Sequence, residues 1–193
     1  MNLYLISLIL FSYGLGSIPF ALVVSKAKGV DLRKVGSGNL GSTNVYRAMG
    51  LNYALLVFFL DALKGFIPAC IATYYFQNPL FHILVGGVSI IGHSLTPFAK
   101  FKGGKGAATG LGVLAAISPK VFLILFVVAA ALIGFTRMVS LASITCSFLA
   151  PILLWFFDYP VEYIIVVTVL CLFIVFRHRS NIQRLLQGKE NKV

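Results

Sequence analysis

Residues 53–76 read YALLVFFLDALKGFIPACIATYYF, twenty-four positions in which Asp61 and Lys64 are the only charges. At 1.5 Å per residue a helix of this length reaches about 36 Å, enough to cross the roughly 30 Å of hydrocarbon in a bilayer. An ion at that depth costs about 2.5–3.5 kcal/mol on insertion scales. Asp61 and Lys64 are three residues apart, hence neighbours on one helix face. They are expected to form a structural ion pair.

Working outward, comparable apolar runs occupy 3–25, 80–98, 106–117, 120–136, 139–157 and 160–176. Most approach the length of a span; 106–117 is too short and reads as a half-helix, a tilted helix or a re-entrant element. The whole chain is 59% hydrophobic and 11% charged, with mean hydropathy +0.96, against about 45–50% and 25% for soluble domains. A soluble protein of this size could not hide so much apolar surface. The expected fold is therefore an all-α membrane protein with about seven transmembrane helices, some short or broken, in a single polytopic domain over 1–193. The first run has no basic segment before it and no small-residue cleavage site after it, so it reads as a span rather than a signal peptide.

Charge orients the chain. With the N-terminus outside and the C-terminus cytoplasmic, 14 of the 16 lysines and arginines fall on the inner side, leaving Lys120 outside and Lys64 within a span. The net charge of +11 then needs no nucleic acid as partner. A basic inner face meets anionic lipid and anionic metabolites. Cys70, Cys146 and Cys171 lie in apolar runs at no metal-like spacing and read as small hydrophobes. No zinc motif occurs, and no metal or cofactor is expected.

Three polar stretches interrupt this pattern. The first, Gly36-Ser37-Gly38-Asn39-Leu40-Gly41-Ser42-Thr43-Asn44 with Arg47 beyond, combines permissive backbone with small hydrogen-bonding groups. Thr43-Asn44 is a candidate helix cap, placing Arg47 about one turn into a helix whose free amides suit an anion. The second, Lys100-Phe101-Lys102-Gly103-Gly104-Lys105-Gly106, enters the short segment, where Gly106, Thr109 and Gly110 follow. A glycine-rich turn before a helix exposes N–H groups to a phosphate, and Lys105 adds a mobile charge. It is not a Walker loop, and Gly106-x-x-x-Gly110 also fits close helix packing. The third, Arg177-His178-Arg179-Ser180-Asn181, leaves the last span; His178 and Asn181 would share one face of a continuing helix. His82 and His93 read as core or interface histidines, although His93 precedes the second stretch and is placed to help position it. Asp31, Asp61, Asp158, Glu162 and Glu190 each read as loop, paired, outside or tail carboxylates, so a carboxylate base is not expected.

Taken together and in order, Ser37-Gly38-Asn39-x-Gly41-x-Thr43-Asn44, Gly103-Gly104-Lys105-Gly106-x-Ala108-Thr109 and Arg177-His178-Arg179-x-Asn181 resemble the three motifs of the bacterial acyl-phosphate:glycerol-3-phosphate acyltransferases, the PlsY family. The resemblance covers essentially the whole chain. It implies an enzyme of the inner membrane that moves a fatty acyl group from acyl phosphate to glycerol 3-phosphate. It also implies a site facing the cytoplasm and no covalent acyl-enzyme. Ser37, Asn39, Arg47, Lys105, His178 and Asn181 would be catalytic. Gly38, Thr43, Asn44, Gly103, Gly104, Gly106, Thr109, Ser143 and Arg179 would bind substrate or phosphate. The soluble enzyme that makes acyl phosphate is a candidate partner. Ser180 departs from the family, which usually carries an acidic residue there. A small anion transporter and a structural scaffold are the rival readings. The first lacks an inverted repeat and midplane charge beyond Asp61 and Lys64; the second leaves residues 37–44 unexplained.

Overall fold

The computed structural model describes residues 3–193; Met1 and Asn2, the first positions of the expected domain, lie outside them. Helices α1 (Leu3–Ser17) and α2 (Phe20–Ala27) form one 25-residue apolar stretch broken at Ile18-Pro19. Proline has no N–H to give and biases the residue before it away from helix. The Ile18 carbonyl accepts instead from Lys64 Nζ at 2.9 Å. The short α3 (Ser42–Met49) turns at Gly50, whose φ of 86° only glycine adopts freely, into α4 (Leu51–Tyr75). Then come α5 (Pro79–Ser94), a 3-10 turn at Pro97–Ala99, α6 (Ala107–Ile117), α7 (Pro119–Thr136), α8 (Val139–Phe156), α9 (Val161–Arg177) and α10 (Arg179–Leu186).

Among the described residues, five segments are long and apolar enough to cross a membrane: Leu3–Ala27, Leu51–Tyr75, Pro79–Ala99, Pro119–Thr136 and Val139–Phe156. A bent pair, α9 with α10, makes a sixth. The remaining expected span is α6, eleven residues, about 16 Å at 1.5 Å per residue and so about half a crossing. It is stitched into the interior by small residues. A Cβ on Gly112 would run into the Ala62 carbonyl of α4, and one on Gly65 into the Thr109 carbonyl of α6. Small residues at such crossings let backbones approach, which drives helix association where lipid removes the hydrophobic incentive.

Large apolar side chains point outward instead. Phe59, Val127, Phe148, Trp155, Ile165 and Leu172 are exposed, as they are on a surface solvated by lipid. Helix α1 runs alongside α5 in the same direction, tied by Ser12 Oγ to Val85 O and Thr96 Oγ1 to Ser17 O, both 2.6 Å. Helix α9 also runs with α5: His82 meets Tyr163 at one end, and Ile90 and Ile174 share a cluster near the other. This parallel set brings the C-terminal ends of α1, α5 and α9 together, and with them all three polar stretches. The expected ion pair is present: Lys64 Nζ lies 2.7 Å from Asp61 Oδ1, with the residues 1% and 2% exposed. His82 sits at the far end between Tyr163 Oη and Phe76 O, a structural role.

Candidate active site

The first polar stretch folds around one side chain. Asn44 is buried; its Oδ1 accepts from Ser37 N (2.9 Å) and Ser37 Oγ (3.3 Å), and its Nδ2 donates to Leu32 O and Val35 O at 3.0 Å each. The sequence suggested Thr43-Asn44 as a helix cap. Instead α3 starts at Ser42 behind Gly41, with no side-chain cap. The amide, being donor and acceptor at once, is consumed in closing the loop that presents Ser37. Gly36 and Gly38 sit at φ 59° and 67° to make that closure. Arg47, on the last turn of α3, donates from Nη2 to Asn191 O in the chain's returning tail.

The second stretch is clamped from two sides. Gly103 N donates to Ser94 O (3.1 Å), while Arg177 Nη2 donates to Gly103 O (3.2 Å) and Gly104 O (3.1 Å). No side chain fits at either glycine: a Cβ on Gly103 would strike the His93 carbonyl, and one on Gly104 the His93 imidazole. Gly106 (φ 91°) caps α6 and, with Gly110, packs on Ile90 and Ile174. Lys105 leaves this loop toward the third stretch, where its ammonium donates to Asn181 Oδ1. Burial foremost, then Arg184 with Arg47 and Arg177, lowers the Lys105 pKa to about 8 against the opposing pull of Glu190. Burial likewise lowers Arg47 from its ordinary value.

The third stretch is not a continuing helix. The chain bends by 61° between α9 and α10 at His178, because the amphipathic, basic α10 follows a different surface from the apolar α9. His178 and Asn181 nonetheless converge. His178 Nδ1 lies 2.8 Å from Ile174 O; a carbonyl only accepts, so Nδ1 carries the proton and Nε2 keeps its lone pair. Burial drives the His178 pKa down to about 4, with Lys105 and Arg177 adding to it. The imidazole is therefore neutral at physiological pH.

Glu190, a tail carboxylate by its position in the sequence, belongs to the site. It is 7% exposed and takes three bonds: Asn181 Nδ2 at 2.6 Å, Ser140 Oγ at 2.9 Å and Arg184 Nε at 2.9 Å. Gly188, at φ 66°, returns the chain so that this carboxylate reaches the site. The available signal was its isolation, a single acid among Arg184, Lys189 and Lys192.

These groups surround a cavity of about 310 Å³. Ser37, Asn39, Thr43, Asn44, Arg47, Lys105, Gly106, Ser143, His178 and Asn181 all line it, and it continues down between α6, α7, α8 and α9 past Leu114, Leu125, Ala150 and Val167. A second recess of about 300 Å³ shares Ser37, Asn39 and Lys105, and adds Gly38, Gly103, Arg179 and Ser180 among Lys102, Arg177 and Arg184. Gly104 borders neither and serves as an acceptor for Arg177. Thr109 stands apart: it is buried against Gly65, with Oγ1 lacking a hydrogen-bond partner among the described residues. Ser143 Oγ donates to Val139 O within its own helix.

A cationic mouth over an apolar slot inside a helical bundle defines a membrane-embedded protein shaped for an amphiphilic anion. The family model described as glycerol-3-phosphate acyltransferase matches residues 6–188. A glycerol-3-phosphate acyltransferase of Aquifex aeolicus is 50% identical, over 96% of this chain and 97% of its own; one of Fusobacterium nucleatum is 44% identical over 95% of each. Two crystal structures of PlsY, an integral membrane glycerol 3-phosphate acyltransferase, superpose with TM-scores of 0.96 and 0.92 at 49% and 47% identity. They cover 98% of this chain and 96% and 95% of theirs; one is the glycerol 3-phosphate form, the other the lysophosphatidic acid form. This chain belongs to the glycerol-3-phosphate acyltransferase family, and it is an integral membrane acyltransferase.

Proposed function

We propose that the enzyme transfers a fatty acyl group from acyl phosphate to the sn-1 hydroxyl of glycerol 3-phosphate, forming lysophosphatidic acid and phosphate. The reaction would run at the cytoplasmic leaflet of a bacterial inner membrane. The observation that carries this reading is the convergence of all three polar stretches on one cavity whose mouth is cationic and whose depth is apolar. The charge bias that sets N-out, C-in supports the cytoplasmic placement of that mouth.

An acyl phosphate is already activated, so the protein's task is to hold two anions together and steady the developing oxyanion. Arg47, Lys105 and Arg179 neutralise phosphate, with Gly38, Gly103 and Gly106 letting it approach the backbone closely. Ser37, Asn39 and Asn181 orient the attacking hydroxyl and the acyl carbonyl, with Thr43 and Ser143 on the cavity wall. His178 Nε2 accepts a hydrogen bond from the attacking hydroxyl. Its pKa of about 4 makes it a poorer proton acceptor than a phosphate oxygen, whose second pKa is near 6. The proton therefore passes to the leaving phosphate. The fatty chain enters from lipid into the slot between α6, α7, α8 and α9, while the headgroup arrives from water.

The test is donor choice. Purified protein in detergent receives labelled glycerol 3-phosphate with acyl phosphate, acyl-CoA or acyl carrier protein. Lysophosphatidate formed from acyl phosphate alone is the expected result; equal turnover from a thioester overturns the donor assignment. Retention of the donor-forming soluble enzyme on liposomes carrying this protein tests the partner.

A further inference from the structure

Asp61, Lys64 and His93 take no part in the chemistry above, yet Asp61 and His93 border the cavity. A buried ion pair is weak evidence of a purely structural role, because replacing both partners by matched apolar residues is often neutral. Their arrangement suggests another use. Asp61 Oδ1 lies 2.7 Å from Lys64 Nζ and 3.5 Å from His93 Nδ1, and His93 is 7% exposed. Lys64 also donates to Ile18 O at the α1–α2 break, and Ser89 Oγ of α5 donates to Lys64 O. On its other edge the His93 ring lies directly against Gly104, and the His93 and Ser94 carbonyls lie against Gly103. The glycine loop is thus pressed between Arg177, which holds its carbonyls, and His93, which backs its Cα atoms. Lys105 is the next residue.

We propose that Asp61 is a positioning residue: by fixing the His93 ring it sets the register of the Gly103–Gly104 loop, and so the reach of Lys105 toward substrate phosphate. The inference rests on Lys105 and that loop holding phosphate, as argued above. A free imidazole rotates about two side-chain bonds; one held by a carboxylate has a single orientation, and the loop has no side chain of its own to keep register.

Two double variants separate positioning from stability. Asp61→Asn/Lys64→Met and Asp61→Leu/Lys64→Met both remove the charge pair, but only the asparagine keeps a polar oxygen opposite His93 Nδ1, which lies 3.5 Å from Asp61 Oδ1 in the wild type. Thermal midpoints in detergent and equilibrium binding of labelled glycerol 3-phosphate are measured for each. The Asn/Met protein should bind like wild type. The Leu/Met protein should melt within a few degrees of it yet bind about tenfold more weakly, about 1.4 kcal/mol. Equal affinity of the two doubles overturns the proposal. Should Leu/Met fail to fold, His93→Ala with the ion pair intact replaces it, and unchanged affinity there overturns it equally. Binding needs no acyl donor, so a wrong donor assignment leaves this result standing. A wild-type protein that binds no glycerol 3-phosphate sinks the phosphate reading and this inference together.

Discussion

Replacing Glu190 by glutamine should move the alkaline limb of activity to lower pH. Lys105 titrates near pH 8 because burial and three arginines oppose its charge, while Glu190 pulls the other way. At pH 9 only about a tenth of Lys105 remains protonated in the free enzyme. If the charged amine binds phosphate, kcat/KM for glycerol 3-phosphate falls about tenfold per pH unit above 8. Glutamine keeps one acceptor oxygen for Asn181 or Ser140 but removes the negative charge, so Lys105 loses its proton earlier. The lost charge-assisted bond to Arg184, whose side chain is 30% exposed, costs about 1–2 kcal/mol of stability after allowance for solvent.

The alkaline loss is separable from unfolding by its sign. A lysine whose folded pKa lies below its unfolded value binds fewer protons in the native state between about pH 8 and 10.5. Stability contributed by this group therefore rises with pH across that window. Lys105-driven unfolding cannot produce the fall. The assay is initial-rate kinetics from pH 6 to 10, with thermal midpoints at each pH. Lys105→Met should have a low kcat/KM with no limb near pH 8. If Lys105→Met retains that limb, or Glu190→Gln leaves it in place, the assignment of the limb to Lys105 is wrong.

Three further outcomes follow. His178→Gln should slow turnover without abolishing it while binding glycerol 3-phosphate, since the proton goes to the leaving phosphate, and should lessen acid lability. His178 has a folded pKa of about 4 against 6.5, so its stability contribution is present above pH 6.5 and lost as pH falls toward 4; identical acid unfolding curves would contradict this. Asn44→Ala orphans Ser37 N, Leu32 O and Val35 O, which at about 1–3 kcal/mol per unsatisfied buried group should reduce both the thermal midpoint and kcat, whereas Thr43→Ala should lower neither as much. Gly112→Leu should prevent assembly of α6 against α4, read as loss of monodisperse protein in detergent, while Gly134→Leu, which meets nothing within 4 Å, should purify normally.

The membrane class, the ion pair and the convergence of three stretches were legible because each rests on local composition: run length, i,i+3 spacing, glycine beside base. What escaped depended on chain reversal. Glu190 looked like tail because its three partners are nine, six and fifty residues away, and only the turn at Gly188 makes them neighbours. Asn44 looked like a cap because asparagine favours helix starts; its real partners precede it by seven to twelve residues. The bend at His178 was hidden because both sides of it are helical, and spacing alone cannot report an angle. Thr109 fell within a motif yet points at Gly65, since every third or fourth residue of α6 must face α4.

The breaks in the helices show why the site lies where it does. Backbone freed from helix bonds is tolerated at membrane depth only where it is buried in protein or lines a cavity. Ile18-Pro19 meets the first condition through the Lys64 ammonium. The Gly103–Gly106 loop meets it through Ser94 and Arg177. The freed carbonyls at both breaks are met by charged side chains, Lys64 at Ile18 and Arg177 at Gly103 and Gly104, and each lies beside the cavity mouth or is linked to it through Asp61 and His93. The charge needed to stabilise irregular backbone is therefore adjacent to the charge needed to bind phosphate. Removing Lys64 alone should then do two kinds of damage at once, leaving Ile18 O short of a donor and Asp61 with an unbalanced charge. The Asp61→Asn/Lys64→Met protein should recover the second but not the first. Its melting midpoint should thus fall between those of Lys64→Met and wild type; a midpoint equal to that of Lys64→Met would mean that the carbonyl, not the carboxylate, is what the lysine is there to satisfy.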